Sequence, residues 1–334
     1  MPDGNRCSDA PVAAGEGAAG KQKAERFGDR VAELVARRES QLVLGLDPDP
    51  LRLWPDAIEL AGGVDDRSAP PANRAATAVV AHCRLVIDAV GRECVAVKLQ
   101  VACFERLGAP GWQALAQTVD HARAAGLLVI ADAKRGDIGI SAAAYAQAFL
   151  GETPTSFGTV AGLGADALTV NPWLGADALE PFVEAARKRA SGLFVLVRNS
   201  NPGASDLQDL ALSGAGSVSL AAAALVDRLG SGQIGDSGLS AVGAVVGATV
   251  PQLIRDLREA MPHAIFLIPG VGAQGGSIQD LAPAFRAGPA SALISASRAI
   301  VDAHRETGGD PATSAAREAA RLRDSVLRLV SPSE

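Results

Sequence analysis

Cysteine, histidine and aromatic residues are all scarce in this chain: four cysteines, four histidines and 4% aromatics in 334 residues. Cys7, Cys83, Cys94 and Cys103 form no CxxC pair. A disulfide framework and a thiolate metal knuckle are therefore not expected, and with no cationic-then-apolar leader the thiols read as free in a reducing cytoplasm. His82, His121, His263 and His304 are scattered without a second ligand at metal-binding spacing, so no zinc or iron site is expected. No run of about eighteen apolar residues lacks a charge or a breaker, which excludes a membrane-spanning helix. A net charge of −6 argues against nucleic acid or an anionic membrane as partner, but a small anion held by a few local donors remains compatible. What the chain does have is 48% hydrophobic residues, mostly Ala, Val and Leu, as a close-packed α/β interior requires.

Residues 1–22 are rich in Ala, Gly and small polar residues without periodicity, which predicts a disordered N-terminal arm before one catalytic domain over 23–334. Phe27, Val31, Leu34 and Val35 then follow helical spacing. Eight short apolar runs come next: 42–46, 95–98, 127–131, 167–170, 193–197, 244–246, 265–268 and 292–294. Helical segments are read between them over 112–125, 141–150, 176–190, 252–260 and 278–287, with a last one over 314–330. Near-continuous apolar strands suit a parallel sheet buried on both faces. Eight of them alternating with helices predict a closed (β/α)8 TIM barrel, with an open doubly wound sheet as the alternative. Two stretches, 62–73 and 230–240, read as inserted loops.

In such a barrel the reactive groups sit where strands end, and polar residues recur there. The third run leads into Asp132-Ala-Lys134-Arg-Gly-Asp137. Strand alternation puts Asp132 and Lys134 on one side and Asp137 in the next turn. Charges this close at an apolar strand end are costly, so chemistry is a better reason for them than stability. The first run ends at Asp47, the second at Lys98, the fourth at Asn171 and the fifth at Arg198-Asn-Ser200. Taken alone, Asn171 and Asp49 read as residues that start solvated turns. The seventh run enters Pro269-Gly-Val-Gly272-Ala-Gln274-Gly275-Gly, and the eighth enters Ser297-Arg298. Converging backbone N–H groups, a helix start near Ile278 and the Arg298 fork suit a phosphate. The match of 270–275 to a dinucleotide fingerprint is weak: the strand comes late, and Arg298 stands where an acid is needed.

Together these motifs resemble the orotidine 5′-phosphate decarboxylase family, in particular its longer bacterial branch. The resemblance runs from about Phe27 to Ala303. It is carried by Gly-Leu-Asp-Pro-Asp-Pro (45–50), Val-Lys-x-Gln-Val-Ala-x-Phe-Glu (97–105), Asp-Ala-Lys-Arg-Gly-Asp-Ile-Gly (132–139), Val-Asn-Pro (170–172), Ser-Asn-Pro-Gly (200–203), Pro-Gly-Val-Gly-Ala-Gln-Gly-Gly (269–276) and Ser-Arg (297–298). The chain departs from the family pattern at Leu99 and Cys103, which read as local packing changes, and at Asn199 and Trp173, which bear on the fine geometry around the base. The resemblance implies decarboxylation of orotidine 5′-phosphate to uridine 5′-phosphate in pyrimidine biosynthesis, without metal or organic cofactor. It implies that Lys134 protonates the C6 carbanion, that Asp132 sits beside the substrate carboxylate and that Lys98 links the acids. Asp47 is then expected on the ribose, Ser200 on the pyrimidine, and Gln274 with Arg298 on the phosphate. A homodimer in which Asp137 crosses into the neighbouring site is also implied.

The residues are chemically suited to that task. A decarboxylation with no electron sink must stabilise a poorly delocalised carbanion, and a fixed ammonium group is the device available. Three other readings compete for the same residues. A purely stabilising ion network leaves Lys98, Asp47 and the phosphate loops unexplained. A Mg²⁺-dependent decarboxylase or aldolase needs a second acid where Lys98 stands. A catalytically silent phosphate-binding barrel predicts loss of a charged member.

Overall fold

A computed structural model of the chain describes residues 26–65, 69–214, 216–271 and 275–331. The proposed arm over 1–22 lies outside the described residues. Eight strands close a parallel barrel in sequential order: β1 (Leu42–Leu46), β2 (Ala96–Gln100), β3 (Leu128–Arg135), β4 (Ala167–Val170), β5 (Gly192–Arg198), β6 (Val242–Val246), β7 (Phe266–Pro269) and β8 (Ala292–Ala296). The predicted barrel is therefore the observed fold, and the open-sheet alternative falls because β1 pairs with both β2 and β8.

Strand side chains alternate, and here they sort into two cores. Outward residues such as Leu44, Val97, Val129 and Leu168 join Val79, Cys83 and Leu115 of the surrounding helices. Inward residues Val43, Ala96, Ile130, Ala167, Phe194, Val245, Leu267 and Leu293 fill the barrel. The helix Phe27–Arg38 covers its N-terminal end and adds Phe27, Val31, Leu34 and Val35 to that inner core. Phe27 meets Phe194 edge-on, with ring centroids 6.1 Å apart. Gly192 makes room for it, since a Cβ there would come within 2.3 Å of the Phe27 ring.

Most predicted helices appear with shifted ends: Ala109–Ala124, Gly139–Phe149, Ala176–Arg189, Pro251–Ala260 and Pro311–Val330. The helix expected over 278–287 is instead a 3₁₀ helix, Ile278–Phe285, with Pro283 inside it. Proline has no N–H to donate to the i−4 carbonyl, which removes one α-helical bond at Pro283, but Pro181 sits inside the α-helix Ala176–Arg189, so the proline alone does not account for the 3₁₀ form. The stretch 62–73 is not all loop, because the helix Pro71–Val90 begins within it. Nor is 230–240 a free insertion. Ile234 bridges Ser240, Leu239 is buried, and Asp29 of the N-terminal helix accepts from the Ser237 N–H at 2.8 Å. That stretch seals the barrel floor beside Phe27.

Sequence reading passed over the helix Val218–Gly230 and the hairpin Glu152–Thr155/Gly158–Ala161. A buried cation also fastens the outer layer. Arg258 donates five hydrogen bonds to the carbonyls of Met261, Ala264, Ala284 and Ser291 and lies 3.7 Å from the Phe266 ring centroid. Its fork is saturated without a carboxylate.

If Phe27 closes the barrel floor, Phe27→Ala leaves a cavity there and costs about 3–5 kcal/mol. A urea unfolding curve whose midpoint matches that of the parent chain would refute this.

Candidate active site

The inward register that carries Val43, Ala96, Ile130, Ala167 and Leu293 continues towards the strand C-termini with Asp47, Lys98, Asp132, Thr169 and Ser295. Within a few residues the barrel interior passes from apolar to ionic. A cavity of about 260 Å³ opens at that level. Asp47, Lys98, Asp132, Lys134, Ser200, Pro269 and Arg298 line it, all of them singled out from sequence.

Asp132 is the hub. One carboxylate oxygen, Oδ2, accepts from Lys98 Nζ at 2.7 Å and Gln100 Nε2 at 3.2 Å. The other, Oδ1, accepts from Lys134 Nζ at 2.6 Å and Thr169 Oγ1 at 2.9 Å. Four donors use the full accepting capacity of a carboxylate. Burial by itself raises the Asp132 pKa, but the charges of Lys98 and Lys134 more than reverse it and hold the carboxyl well below the usual carboxylate range. Burial likewise works to lower the Lys98 pKa, yet Asp132 and Asp47 carry it above its ordinary value. Asp47 stands 3.8 Å from the Lys98 ammonium. Lys98 is nearly enclosed, whereas the Lys134 side chain is 44% exposed. Both lysines line the cavity, and the side chain of Lys134 is the more open of the two to a ligand.

A break in strand register shapes this arrangement. Pairing between β3 and β4 shifts from Ala131↔Leu168 to Arg135↔Val170, so β3 spends two extra residues there. Lys134 adopts φ +49 within the bulge, and its N–H donates to Thr169 Oγ1 at 2.9 Å. This bulge also corrects the expected end of the third strand at residue 131: β3 resumes pairing through Arg135.

On the opposite wall, buried Arg198 grips both carboxylate oxygens of Asp209 at 2.7 and 2.9 Å. This fork fixes the loop carrying Ser200. Thr249 Oγ1 donates to the Ser200 carbonyl at 3.2 Å. Gly247 permits the approach, because a Cβ there would lie 2.7 Å from Ser200 Cα. The glycine-rich loop after β7 is closed at its base by the Gly276 N–H on the Gly270 carbonyl, at 3.1 Å. Gly272 and Gln274 lie outside the described residues.

Three sequence candidates are absent from the cavity lining. Asp137 accepts from the Ile138 N–H at 2.8 Å. Asn171 is exposed, and its Oδ1 accepts from the Trp173 N–H at 3.0 Å, the role of a turn residue. Gly275 is exposed with φ +87. Conversely, Gln100, Thr169, Asn199, Asn201, Ser295 and Ser297 line the cavity without having been chosen from sequence. The inward period of each strand identifies Thr169 and Ser295 one step past the last inward apolar residue, and Gln100 one step past Lys98.

Comparison with known proteins agrees with this geometry. Residues 40–309 match the model of the orotidine 5′-phosphate decarboxylase / HUMPS family. An orotidine 5′-phosphate decarboxylase of Rhodopirellula baltica is 43% identical over 279 residues, 84% of this chain and 89% of that protein. The Deinococcus radiodurans enzyme of the same name is 43% identical over 300 residues, covering 89% and 96%. A crystal structure from Streptomyces avermitilis, provisionally assigned the same activity, superposes with TM-score 0.71 at 34% identity, over 92% of this chain and 96% of that one. Shared sequence from the first strand to the last, on the same closed barrel, has one explanation: the chain belongs to the orotidine 5′-phosphate decarboxylase / HUMPS family.

Proposed function

We propose that Lys134 is the acid, and Asp132 its anchor, in the reaction this family member carries out: orotidine 5′-phosphate loses CO₂ from C6 and becomes uridine 5′-phosphate, a step of pyrimidine biosynthesis. One observation carries the assignment. The half-exposed side chain of Lys134 lines the cavity with its ammonium group 2.6 Å from a buried carboxylate whose four acceptor positions are all taken.

The bond between C6 and the carboxylate carbon breaks, and its electron pair stays on C6. The Lys134 charge is already in place as that pair appears, so little reorganisation is needed. An N–H of Lys134 then delivers its proton to C6, and the amine regains one from water. Asp132 sits beside the substrate carboxylate, and their repulsion ends as CO₂ leaves. Lys98 keeps Asp132 ionised and still. Asp47 binds the ribose and Ser200 the pyrimidine. Arg298 binds the phosphate with Pro269, Gly272, Gln274 and Gly275, and Asn171 supports the rim by capping the turn after β4. Binding energy gathered at the phosphate, away from C6, is available for orienting and desolvating the reacting end. A divalent cation is disfavoured beside Asp132 because β2 supplies the positive charge of Lys98 there instead of an acid.

The working form is a homodimer in which Asp137 reaches the partner's cavity. Asp137 lies outside the lining of its own cavity, and Ile138 and Ile140 next to it are 59% and 91% exposed, an apolar surface suited to a protein contact. The catalytic unit spans 23–334 and works in a reducing cytoplasm. Burial pushes the free thiols of Cys83 and Cys94 up to about 12, so both are inert.

Lys134→Ala lowers kcat on orotidine 5′-phosphate by about 10⁴-fold or more, combining an acid and an electrostatic contribution. Calorimetry then finds uridine 5′-phosphate binding little changed, and retained turnover refutes the assignment. Asp132 has a folded pKa below its unfolded value of about 3.9, so its stabilisation is present above that value and lost as pH falls through the folded one. Asp132→Asn is therefore destabilised by about 3–5 kcal/mol at neutral pH, where it strands buried Lys98, and the gap to the parent narrows below about pH 4. Urea titrations at the two pH values measure it. Mixing inactive Lys134→Ala and Asp137→Ala chains restores activity if the sites are shared, whereas a mixture as dead as its components rules sharing out.

A further inference from the structure

We infer that Thr169 is a positioning residue for the reacting lysine: its hydroxyl, set opposite the two-residue bulge of β3, ties the Lys134 backbone and the Asp132 carboxylate into one geometry. The inference rests on the reading of Lys134 as the acid and adds a residue that neither the motifs nor the family resemblance singled out.

The hydroxyl has a single possible direction. The Lys134 N–H can only donate, and it points at Thr169 Oγ1 from 2.9 Å. The ionised Asp132 carboxylate can only accept, and its Oδ1 lies 2.9 Å from the same oxygen. The hydroxyl proton therefore lies towards Asp132, and one oxygen links backbone to carboxylate. Thr169 is 1% exposed, so water does not compete for either bond. Its β-branched side chain has restricted χ1 freedom, so the oxygen is held in place before any ligand arrives.

The bulge needs such a tie. Lys134 sits at φ +49, and the other two non-glycine residues with positive φ among the described residues, Glu39 and Ala190, are helix C-caps. Lys134 has no helix end to account for its conformation, and an L-residue pays for it sterically. In place of a strand partner, the bulged N–H has the Thr169 hydroxyl. Without it, a partly buried donor loses its partner, and the bulge gains by relaxing to negative φ, which swings the Lys134 side chain away from its place beside Asp132. Side chain and backbone of the same lysine thus converge on one pair, Asp132 and Thr169.

Thr169→Val keeps the shape and removes both hydrogen bonds; Thr169→Ser keeps both and loses only a methyl group. Steady-state kinetics on orotidine 5′-phosphate, with the parent chain alongside, are expected to give a kcat about ten- to hundred-fold lower for the Val variant, its KM within about twofold of the parent. The Ser variant recovers most of the loss. Uridine 5′-phosphate binds the Val variant as tightly as the parent. A Val variant with the parent's kcat, one that loses kcat and KM together, or a Ser variant no better than Val overturns the inference. If the Val chain does not fold, Thr169→Ala replaces it, with the same split expected against Ser. Absence of turnover by the parent chain sinks the reading of the reaction itself, whereas a normal parent beside an unimpaired Val variant sinks only the role of Thr169.

Discussion

The charged groups where β2, β3 and β4 end are organised around the carboxylate of Asp132, which accepts from two ammonium groups, an amide and a hydroxyl. A buried ion cluster of this kind is a poor way to gain stability, because desolvation cancels much of the Coulombic attraction and an apolar set of similar volume does as well or better. Its value lies in fixing where a cation stands. With each acceptor position filled, Asp132 has no alternative partner to turn to. The two ammonium groups it holds are in place with no ligand present, as electrostatic preorganisation requires.

The rest of the molecule keeps that point fixed in space. The floor is shut by the N-terminal helix and the 230–240 stretch against the inner core, while the reactive groups occupy the last inward positions of the same strands. Stability and chemistry are thereby placed at opposite ends of one barrel. The two meet only at the bulge of β3, where regular pairing is given up for the length of three residues and then restored at Arg135.

The barrel was legible because each strand is a short apolar run ending in a polar residue. Asp47, Lys98, Asp132 and Lys134 were legible as charges at such ends. The bulge was not. Threonine is common in ordinary strands, so Thr169 between Leu168 and Val170 looks like strand filling, and only its partner across the sheet gives its hydroxyl a task. The helix over 218–230 escaped notice because Ala221–Ala224 breaks the apolar stripe that marks a helix face. Pro283 does not by itself mark the 3₁₀ segment in the sequence, because Pro181 lies inside the regular α-helix Ala176–Arg189. The stretch 230–240 looked like an insertion because its glycines and serines hide Leu239, whose burial depends on a helix some two hundred positions earlier. Asp137 owes its suggested role to family resemblance alone, since its own surroundings give it only a turn to cap.

The signs of the charges around the cavity also bear on where an anion can settle. Lys98 and Lys134 gather at the β2–β3 side beside Asp132, and Arg298 stands after β8. The two lysines are matched by the carboxylates of Asp132 and Asp47, two cations against two anions, so that end is balanced before any guest arrives. A second negative group placed there meets a carboxylate along with each ammonium, and net attraction for an anion falls to the Arg298 end.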